Sequence, residues 1–505
     1  MPQKEDLTGL SRLLSNSVTS WLSYFILIIT GFLLPHFIDV HLGQAVLGVW
    51  DFCWAIINYL TLADISIGAS ISRYLSRYRI NRQYKKEIKL LSTGLTIQIA
   101  ILAILIMTTL ILSIFIPQYI STENAYESSQ IRWIIIFLGL SFAIRIFFDF
   151  ARGILKGLHR WDIHSYINVT TRIVTSLTLI IVILLKGSLV ELSIAYFIVT
   201  IISELARLYI TYRYYHNLLM LKLSFDRKYT RKLLSFGVKN TYISILQPIM
   251  LQGSFIIIGM FLTTGVLAIY SRPISLIKYI EMIVLRYTWT LTPIASALQA
   301  NNEPEKIKSL YIRSTMFAFA ICLPVLLFIF VYGSRIIDIW MGQDYINDEL
   351  IKLLSLCYIL PISQSPAVSI MTGLNYLGKL AIIATISILI CIFILLPLPM
   401  TDGWTLINIA YLMIFPIMIT FGVIIPIYTC LVLKVNLTKF ISDILLKPGI
   451  ICIPFYLMLN YIDNNLQSHA SSLITACLFS IIYIGVTYWY YIASDTIKQK
   501  IKSFI

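Results

Sequence analysis

One long apolar stretch constrains the fold of this chain more than any other feature, because it carries three positive charges. Residues 264–299 are long enough to cross a lipid bilayer, yet they include Arg272, Lys278 and Arg286. A cation in hydrocarbon costs between ~3 and more than 10 kcal/mol, so it persists only in a polar cavity, beside a partner, or near the bilayer surface. The stretch therefore predicts a membrane helix whose charged side chains face protein or water.

The spacing of the three cations separates them into two groups. At about 100° per residue, Arg286 lies about 40° around the helix from Arg272, whereas Glu281 stands three residues after Lys278 and can pair with it. No acidic residue lies one turn from Arg272 on its own helix, and the following Pro273 predicts a kink. We therefore expect a water-filled cavity, lined by cations, that holds an anion. The alternative is that these are structural charges at helix interfaces.

Composition extends the membrane assignment to the whole chain. Hydrophobic residues make up 58% of it and charged residues 12%, about half the charged fraction of a typical soluble domain. The net charge of +15 therefore does not indicate nucleic-acid binding. In a membrane protein, basic residues are distributed unequally between the two sides of the membrane. The 7 Cys and 6 His show no metal or catalytic spacing, and no phosphate-binding GxxxxGK[ST] motif occurs. The sequence thus predicts an all-α polytopic membrane protein that is not an enzyme and needs no cofactor.

About 20 apolar residues are needed for each span, which predicts about fourteen membrane helices. They lie near residues 12–36, 44–69, 88–116, 131–151, 162–186, 190–215, 233–262, 264–299, 306–332, 350–373, 377–397, 405–433, 444–462 and 470–493. Loops after even-numbered helices carry most of the Lys and Arg residues, whereas loops after odd-numbered helices carry few, with Lys186 and Arg335 as exceptions. Under the positive-inside rule, both termini are cytoplasmic.

An internal repeat divides the chain into two lobes. The pattern Leu13-Leu14-Ser15 recurs as Leu233-Leu234-Ser235, 220 positions later, and Ile154–Leu158 resembles Ile370–Leu374 at an offset of 216. A displacement by six helices preserves orientation, so we expect two parallel six-helix lobes with a cavity between them. The predicted domains are an N-terminal lobe (1–216), a C-terminal lobe (217–434), and helices 13 and 14 with a basic tail (435–505).

Polar side chains predict which other helices line the cavity. The candidates are Asn16 on helix 1; Asp51, Trp54 and Asn58 on helix 2; Arg172 on helix 5; and Asn240 and Gln247 on helix 7. The alternative is that they form interhelical hydrogen bonds worth about 1 kcal/mol each. No acidic residue lies one turn from Arg172 on its own helix, whereas Asp51 could pair with Arg272 or hold a coupling cation.

Other charges have local explanations. Arg145 with Asp149, and Glu204 with Arg207, have the spacing of intrahelical ion pairs. The basic, amphipathic stretch 217–232 could lie on the anionic inner leaflet or serve as a solvated linker between the lobes.

Several motifs then occur in order along the chain. They are Leu42-Gly43 with Gly48 and Trp50; Leu62-Ala63-Asp64-Ile65 with Ile67-Gly68; Gly153–Leu158; Thr292–Ala297; and Ile339–Gly342 with Tyr345. In this order they resemble the motifs of bacterial polysaccharide flippases, the O-antigen or polysaccharide-transporter branch of the multidrug/oligosaccharidyl-lipid/polysaccharide exporter superfamily.

The resemblance implies alternating access in the bacterial inner membrane. The implied cargo is an undecaprenyl-diphosphate-linked oligosaccharide of O-antigen or capsule type, carried from the cytoplasmic to the outer leaflet. In related lipid-linked-precursor flippases, a basic residue early in helix 8 contributes to the central anion site. Arg272 occupies that place, and Arg12 occupies the analogous place in helix 1. By the same resemblance, helices 13 and 14 could form a groove for the polyprenyl tail.

The implied partners are membrane lipid, glycosyltransferases and a glycan polymerase. The coupling ion, H⁺ or Na⁺, is left open. The alternatives are a cation-coupled multidrug exporter of the same fold, and a flippase of lipid II or teichoic-acid type. A membrane-embedded glycan polymerase is disfavoured because no odd-numbered loop is long enough to hold a catalytic domain.

Overall fold

Helices form almost all of the described chain. The structure is a computed structural model and describes residues 10–63, 66–120, 127–465 and 469–487, with no strand among them. The first helices are α1 (Leu10–Leu42), α2 (Gln44–Tyr59), α3 (Ile67–Ile80), α4 (Tyr84–Phe115), α5 (Ser128–Phe147), α6 (Asp149–Gly157), α7 (Trp161–Leu184) and α8 (Leu189–Tyr214). Next come α9 (Arg227–Phe261), α10 (Thr264–Thr288), α11 (Leu291–Ala300), α12 (Pro304–Met341), α13 (Asp348–Ser363), α14 (Ser365–Gly373), α15 (Leu377–Leu395) and α16 (Pro397–Asp402). The last are α17 (Leu406–Ile419), α18 (Ile425–Leu433), α19 (Leu437–Phe440), α20 (Lys447–Asn465) and α21 (His469–Thr487).

Within the described residues, 10 helical segments are long and apolar enough to cross a membrane. The predicted fold class, an all-α polytopic membrane protein, is confirmed, but the predicted number of fourteen spans is not. Helices α2 and α10 are not among the ten. The first has only 16 residues, and the second carries Arg272, Lys278, Glu281 and Arg286 within 25 residues.

The predicted helix over residues 264–299 is two helices in the structure. The first of them, α10, continues through Pro273 but ends at Thr288, and α11 begins at Leu291. Pro293 explains the break, because it has no N–H group to donate to the carbonyl four residues earlier. The Thr290 hydroxyl instead donates to the Tyr287 carbonyl oxygen at 2.7 Å, where the first helix ends.

The backbone reproduces both offsets of the internal repeat. Helices α2, α4 and α5 begin 220 positions before α10, α12 and α13 (304 − 84 = 220 for the middle pair), and α6 and α7 begin 216 positions before α14 and α15 (365 − 149 = 216). The turns repeat as well: φ is 54° at Arg82 and 55° at Asn302, and 57° at His159 and 64° at Asn375. Since non-glycine residues rarely adopt positive φ, these matches confirm the duplication independently of side-chain identity.

The same hydrogen bond also joins equivalent helices in both repeats. The Ser76 hydroxyl of α3 donates to the Gly157 carbonyl oxygen of α6 at 2.9 Å. At the equivalent positions, Ser296 of α11 donates to the Gly373 carbonyl oxygen of α14 at 2.8 Å. A Cβ atom on Gly373 would lie 2.5 Å from the Thr292 carbonyl oxygen, so only glycine permits this close approach.

The helices belong to two compact units. The first comprises residues 1–245 and 255–268, and the second comprises residues 246–254 and 269–505. The predicted domain boundaries after residues 216 and 434 stay predictions.

The second unit holds the two helices that follow the repeats. Helices α20 and α21 pack on α12 through a core of Tyr332, Phe455, Leu459, Ile462 and Ala476. Arg335, one of the two bases that departed from the charge pattern of the loops, lies beside this core. Its guanidinium pairs with Asp463 of α20 at 2.9 Å and also contacts the hydroxyl of Ser472 on α21. Arg335 thus has a structural role that explains the exception.

We expect the replacement Arg335→Ala to weaken the packing of α20 and α21 on α12. Each side chain of the pair with Asp463 is about three-quarters buried, and a hydrogen bond to a charged group contributes about 1.5–3 kcal/mol. Limited proteolysis of the purified protein in detergent should therefore cleave near residues 463–472 faster in this variant. Lys352→Ala, which removes an exposed charge from α13, is the control. Equal cleavage rates in the two variants would contradict the assigned role.

Candidate substrate-binding site

Arg272 is buried in the second unit, and only 2% of its surface is exposed. It lies eight residues after the first residue of α10, or about 12 Å along the helix. Its Nη2 donates to the Ser271 hydroxyl at 2.8 Å, and its guanidinium lies 5.8 Å from the ring centroid of Trp340. A guanidinium over an indole face gains a cation–π interaction, which is worth more when water is excluded. The cation at this depth is therefore held by protein groups.

Trp340 is the contact that sequence analysis missed. It lies in the last turn of α12, which ends at Met341 and is followed by Gly342 with a φ of 98°, a backbone conformation that favours glycine. The motif Ile339–Gly342 was recognised only as a family resemblance. The structure shows a physical role for it, because the glycine ends the helix where the indole meets Arg272.

The other two cations of α10 are less buried. Lys278 and Arg286 are both half-buried, and the predicted pairing of Lys278 with Glu281 stays a prediction. Arg286 lies in the last helical turn, where a cation is stabilised by the helix dipole.

In the first unit, α2 presents an aromatic row. The Trp54 ring lies edge-on to Trp50, with centroids 6.0 Å apart, and edge-on to Tyr196 of α8 at 5.1 Å. Asp51, Trp54 and Asn58 are all half-buried. Such a row combines ring faces with polar tips, which suits a ligand that is itself amphipathic.

Arg145 extends this row, contrary to the prediction. It was expected to pair with Asp149, but its Nη1 donates to the Tyr196 hydroxyl at 3.2 Å, and its side chain is exposed. Asp149 instead pairs with Arg152 at 3.7 Å and accepts the Gly68 backbone N–H at 2.8 Å. The spacing rule fails here because Asp149 does not continue the helix of Arg145. It begins a new helix, α6, after the break at Phe148. Arg145 and Tyr196 are thus site candidates that spacing alone did not identify.

Arg172 is exposed near the middle of α7, a span of 24 residues. A guanidinium at this depth requires polar surroundings, because acyl chains cannot solvate it. Its assignment to the substrate cavity stays a prediction. The side chains of Arg12, Asn16, Asn240 and Gln247 lie outside the described residues, so the predictions for them are untested.

The predicted pair of Glu204 with Arg207 is present and belongs to a larger buried network. Arg207 Nε donates to Glu204 Oε2 at 2.9 Å. Its Nη2 donates to Asn168 Oδ1 at 3.1 Å, and its Nη1 lies 3.3 Å from His164 Nδ1. The network joins α7 to α8, so these charges hold helices together. Among the described residues, no cluster of His, Cys, Asp or Glu is placed to hold a metal ion.

Comparison with known structures defines the class of fold. The chain is similar to the lipid II flippase MurJ in an inward closed conformation, with a TM-score of 0.63 and 15% identity over 94% of this chain and 98% of that one. It is equally similar to an inward-facing multidrug resistance MATE transporter, with a TM-score of 0.63 and 14% identity over 82% and 95% of the two chains. A MOP superfamily transporter from Pyrococcus furiosus gives a TM-score of 0.62 at 13% identity over 83% and 95%. The fold is therefore that of the MOP superfamily transporters.

Sequence comparison defines the family. The model of the polysaccharide biosynthesis protein family matches residues 12–299, which is more than half of the chain. A putative O-antigen transporter of Shigella flexneri is 23% identical over 333 residues, which cover 66% of this chain and 78% of that protein. The chain thus belongs to the polysaccharide biosynthesis protein family, and the sequence-based assignment to the polysaccharide flippase branch is confirmed.

Proposed function

We propose that this protein flips undecaprenyl-diphosphate-linked oligosaccharide repeat units, of O-antigen or capsule type, from the cytoplasmic to the outer leaflet of the bacterial inner membrane. Family membership and the similarity to an O-antigen transporter support this cargo. The observation that carries the proposal is the buried guanidinium of Arg272 in a membrane protein of this family. Binding of an anionic cargo to this cation would offset the free-energy cost of burying it.

Each part of the cargo has matching chemistry. In the proposal, Arg272 takes the diphosphate, with Lys278 and Arg286 supplying further positive charge on α10. One pair of opposite charges about 4 Å apart is worth about 4 kcal/mol at an effective dielectric near 20. Sugar rings have apolar faces and polar edges, and the half-buried Trp54 and Tyr196 of the first unit offer aromatic surface that suits them. Transport follows if the loaded and the empty protein prefer different conformations.

Two other cargoes fit the same fold. Similarity to MATE structures favours a cation-coupled multidrug exporter, for which Asp51 would hold the cation or the drug. Similarity to the lipid II flippase favours a peptidoglycan or teichoic-acid precursor. The exposed Arg145 and Arg172 favour an anionic cargo over a cationic drug.

Deletion of the gene in its native host tests the proposal. We expect undecaprenyl-linked repeat units to accumulate inside the cell while surface glycan disappears. The purified protein in proteoliposomes should move lipid-linked oligosaccharide, but not ethidium, across the bilayer. Normal surface glycan with increased drug sensitivity would favour the multidrug exporter, and arrest of cell-wall synthesis would favour the lipid II alternative.

The orientation is part of the proposal, with both termini in the cytoplasm. Fusion of a fluorescent protein to the C-terminus should give fluorescent cells, whereas fusion of alkaline phosphatase there should be inactive. The reverse result would contradict the orientation predicted from the charge pattern.

A further inference from the structure

A basic pocket lies in the first unit, where the turn between α3 and α4 meets the beginning of α9. Its volume is about 280 Å³, and four cations line it: Arg77, Lys86, Lys228 and Lys232. No carboxylate is among its lining residues. Asp226 stands nearby, but its Oδ1 accepts the backbone N–H groups of Lys228 and Tyr229 at 2.9 and 3.3 Å, so it caps α9. The pocket therefore has an excess of positive charge.

Three tyrosines hold one of these cations in place. The Lys232 ammonium lies 5.9 Å from the ring centroid of Tyr74 and 5.7 Å from those of Tyr78 and Tyr229. It also donates to the Tyr78 hydroxyl at 3.0 Å. This hydrogen bond raises the pKa of Lys232, so the group stays protonated at neutral pH. A lysine fixed by aromatic rings has little rotamer entropy left to lose when an anion binds.

The three remaining cations that line the pocket are exposed. Arg77, Lys86 and Lys228 belong to three different helices, α3, α4 and α9, and each side chain is accessible to solvent. A guanidinium can hold two phosphate oxygens at once, whereas ammonium groups act as point charges around them. Convergence of one guanidinium and three ammonium groups is the chemistry that recognises a phosphate ester.

An apolar row lies in the same unit, in the segment that leads to α9. Leu219, Met220, Leu223 and Phe225 expose 77%, 61%, 65% and 71% of their surfaces. The row is fixed to α4, because the Ser224 backbone N–H donates to Thr96 Oγ1 at 3.0 Å and Thr96 Oγ1 donates back to the Ser224 carbonyl oxygen at 3.1 Å. Exposed apolar side chains followed directly by a basic pocket are the arrangement found where a protein meets a bilayer surface.

We propose that this pocket, lined by Arg77, Lys86, Lys228 and Lys232, binds the phosphate headgroup of an anionic membrane lipid. The apolar row inserts among the acyl chains beside it, so headgroup and lipid body are recognised together. The volume suits a headgroup and is too small for an oligosaccharide. The inference concerns the membrane around the transporter and does not depend on the proposed cargo.

The test uses two variants that remove the same charge from equivalent turns. One is the double replacement Arg77→Gln and Lys86→Gln. The control is Lys306→Gln and Lys308→Gln in the second repeat, where Lys306 stands 220 positions after Lys86 and pairs with Glu303 at 2.9 Å. All four side chains lie at the surface rather than in a core, so both variants should fold. Native mass spectrometry of the full-length protein in detergent then measures binding of short-chain phosphatidylglycerol.

We expect the pocket variant to bind phosphatidylglycerol roughly 25-fold more weakly than the wild-type protein, since each base near a lipid headgroup contributes about fivefold. The control should bind it as the wild type does, and phosphatidylcholine should bind weakly to all three. Equal loss in both variants, or no preference for the anionic lipid, would overturn the proposal. Equally tight binding of inorganic phosphate would also overturn it, because the pocket would then serve a soluble anion.

Discussion

Cells that produce the Arg272→Ala variant should lose export of surface glycan while keeping the normal amount of the protein in the membrane. Arg272 is buried, and its guanidinium lies against Ser271 and Trp340. If the proposed function is correct, its removal deletes a cation–phosphate interaction of about 4 kcal/mol. We expect at least a tenfold drop in export, measured as surface glycan per cell against protein level by immunoblot. Arg272→Lys should retain part of the activity, because it keeps the charge but loses the planar contact with the indole.

The control for this prediction removes a guanidinium from the same unit. Arg313 of α12 is exposed, so Arg313→Ala should leave export unchanged. Trp340→Phe should lie between the wild type and Arg272→Ala, since a phenyl ring gives a weaker cation–π contact than indole. Full export by Arg272→Ala at normal protein level would remove this residue from the mechanism.

The largest loss of stability should follow from breaking the network between α7 and α8. In Arg207→Met, the carboxylate of Glu204 stays buried without its cation; the two side chains of the pair are only 3% and 5% exposed. Removing one partner of a buried ion pair costs about 3–5 kcal/mol. The melting temperature of the purified variant in detergent should fall sharply, as measured by intrinsic tryptophan fluorescence.

A double replacement distinguishes this cause from lost packing. Glu204→Leu combined with Arg207→Met removes both charges and should recover most of the stability, because apolar groups of similar volume often replace a buried pair at little cost. Arg160→Met, which removes a cation from a pair with the 45%-exposed Asp162, should change stability by less than about 1 kcal/mol. A double variant as unstable as the single one would show that packing dominates.

The sequence predicted the repeat better than the number of spans. Short matches such as Leu13–Ser15 with Leu233–Ser235 were sufficient for the offset of 220, because duplicated helices keep their spacing even when side chains change. Hydropathy could not reveal that α10 ends at Thr288 or that a new helix begins at Asp149. Those breaks depend on local backbone geometry, at Pro293 in one case and at Phe148 in the other, and a 20-residue average conceals both.

The sequence predicted the charged residues of the candidate site but not the residues that contact them. Arg272 stood out because a cation in an apolar helix is costly, and spacing along one helix correctly paired Glu204 with Arg207. The same rule failed for Arg145, whose partner Tyr196 is 51 positions away on another helix. The contacts of Arg272 with Trp340 and of Lys232 with Tyr74 and Tyr78 were missed for the same reason, since ring contacts between distant segments leave no periodic signal.

The turns after α3 and α11 follow one backbone course, with positive φ at Arg82 and at Asn302. The two turns are therefore structurally equivalent. Transplanting the sequence of residues 294–303 into positions 74–83 keeps a serine at 76 and an asparagine at 81, and it places asparagine, which tolerates positive φ, at 82. The same transplant deletes Tyr74, Arg77 and Tyr78, so it would yield a transporter with an intact bend and no lipid-facing basic pocket.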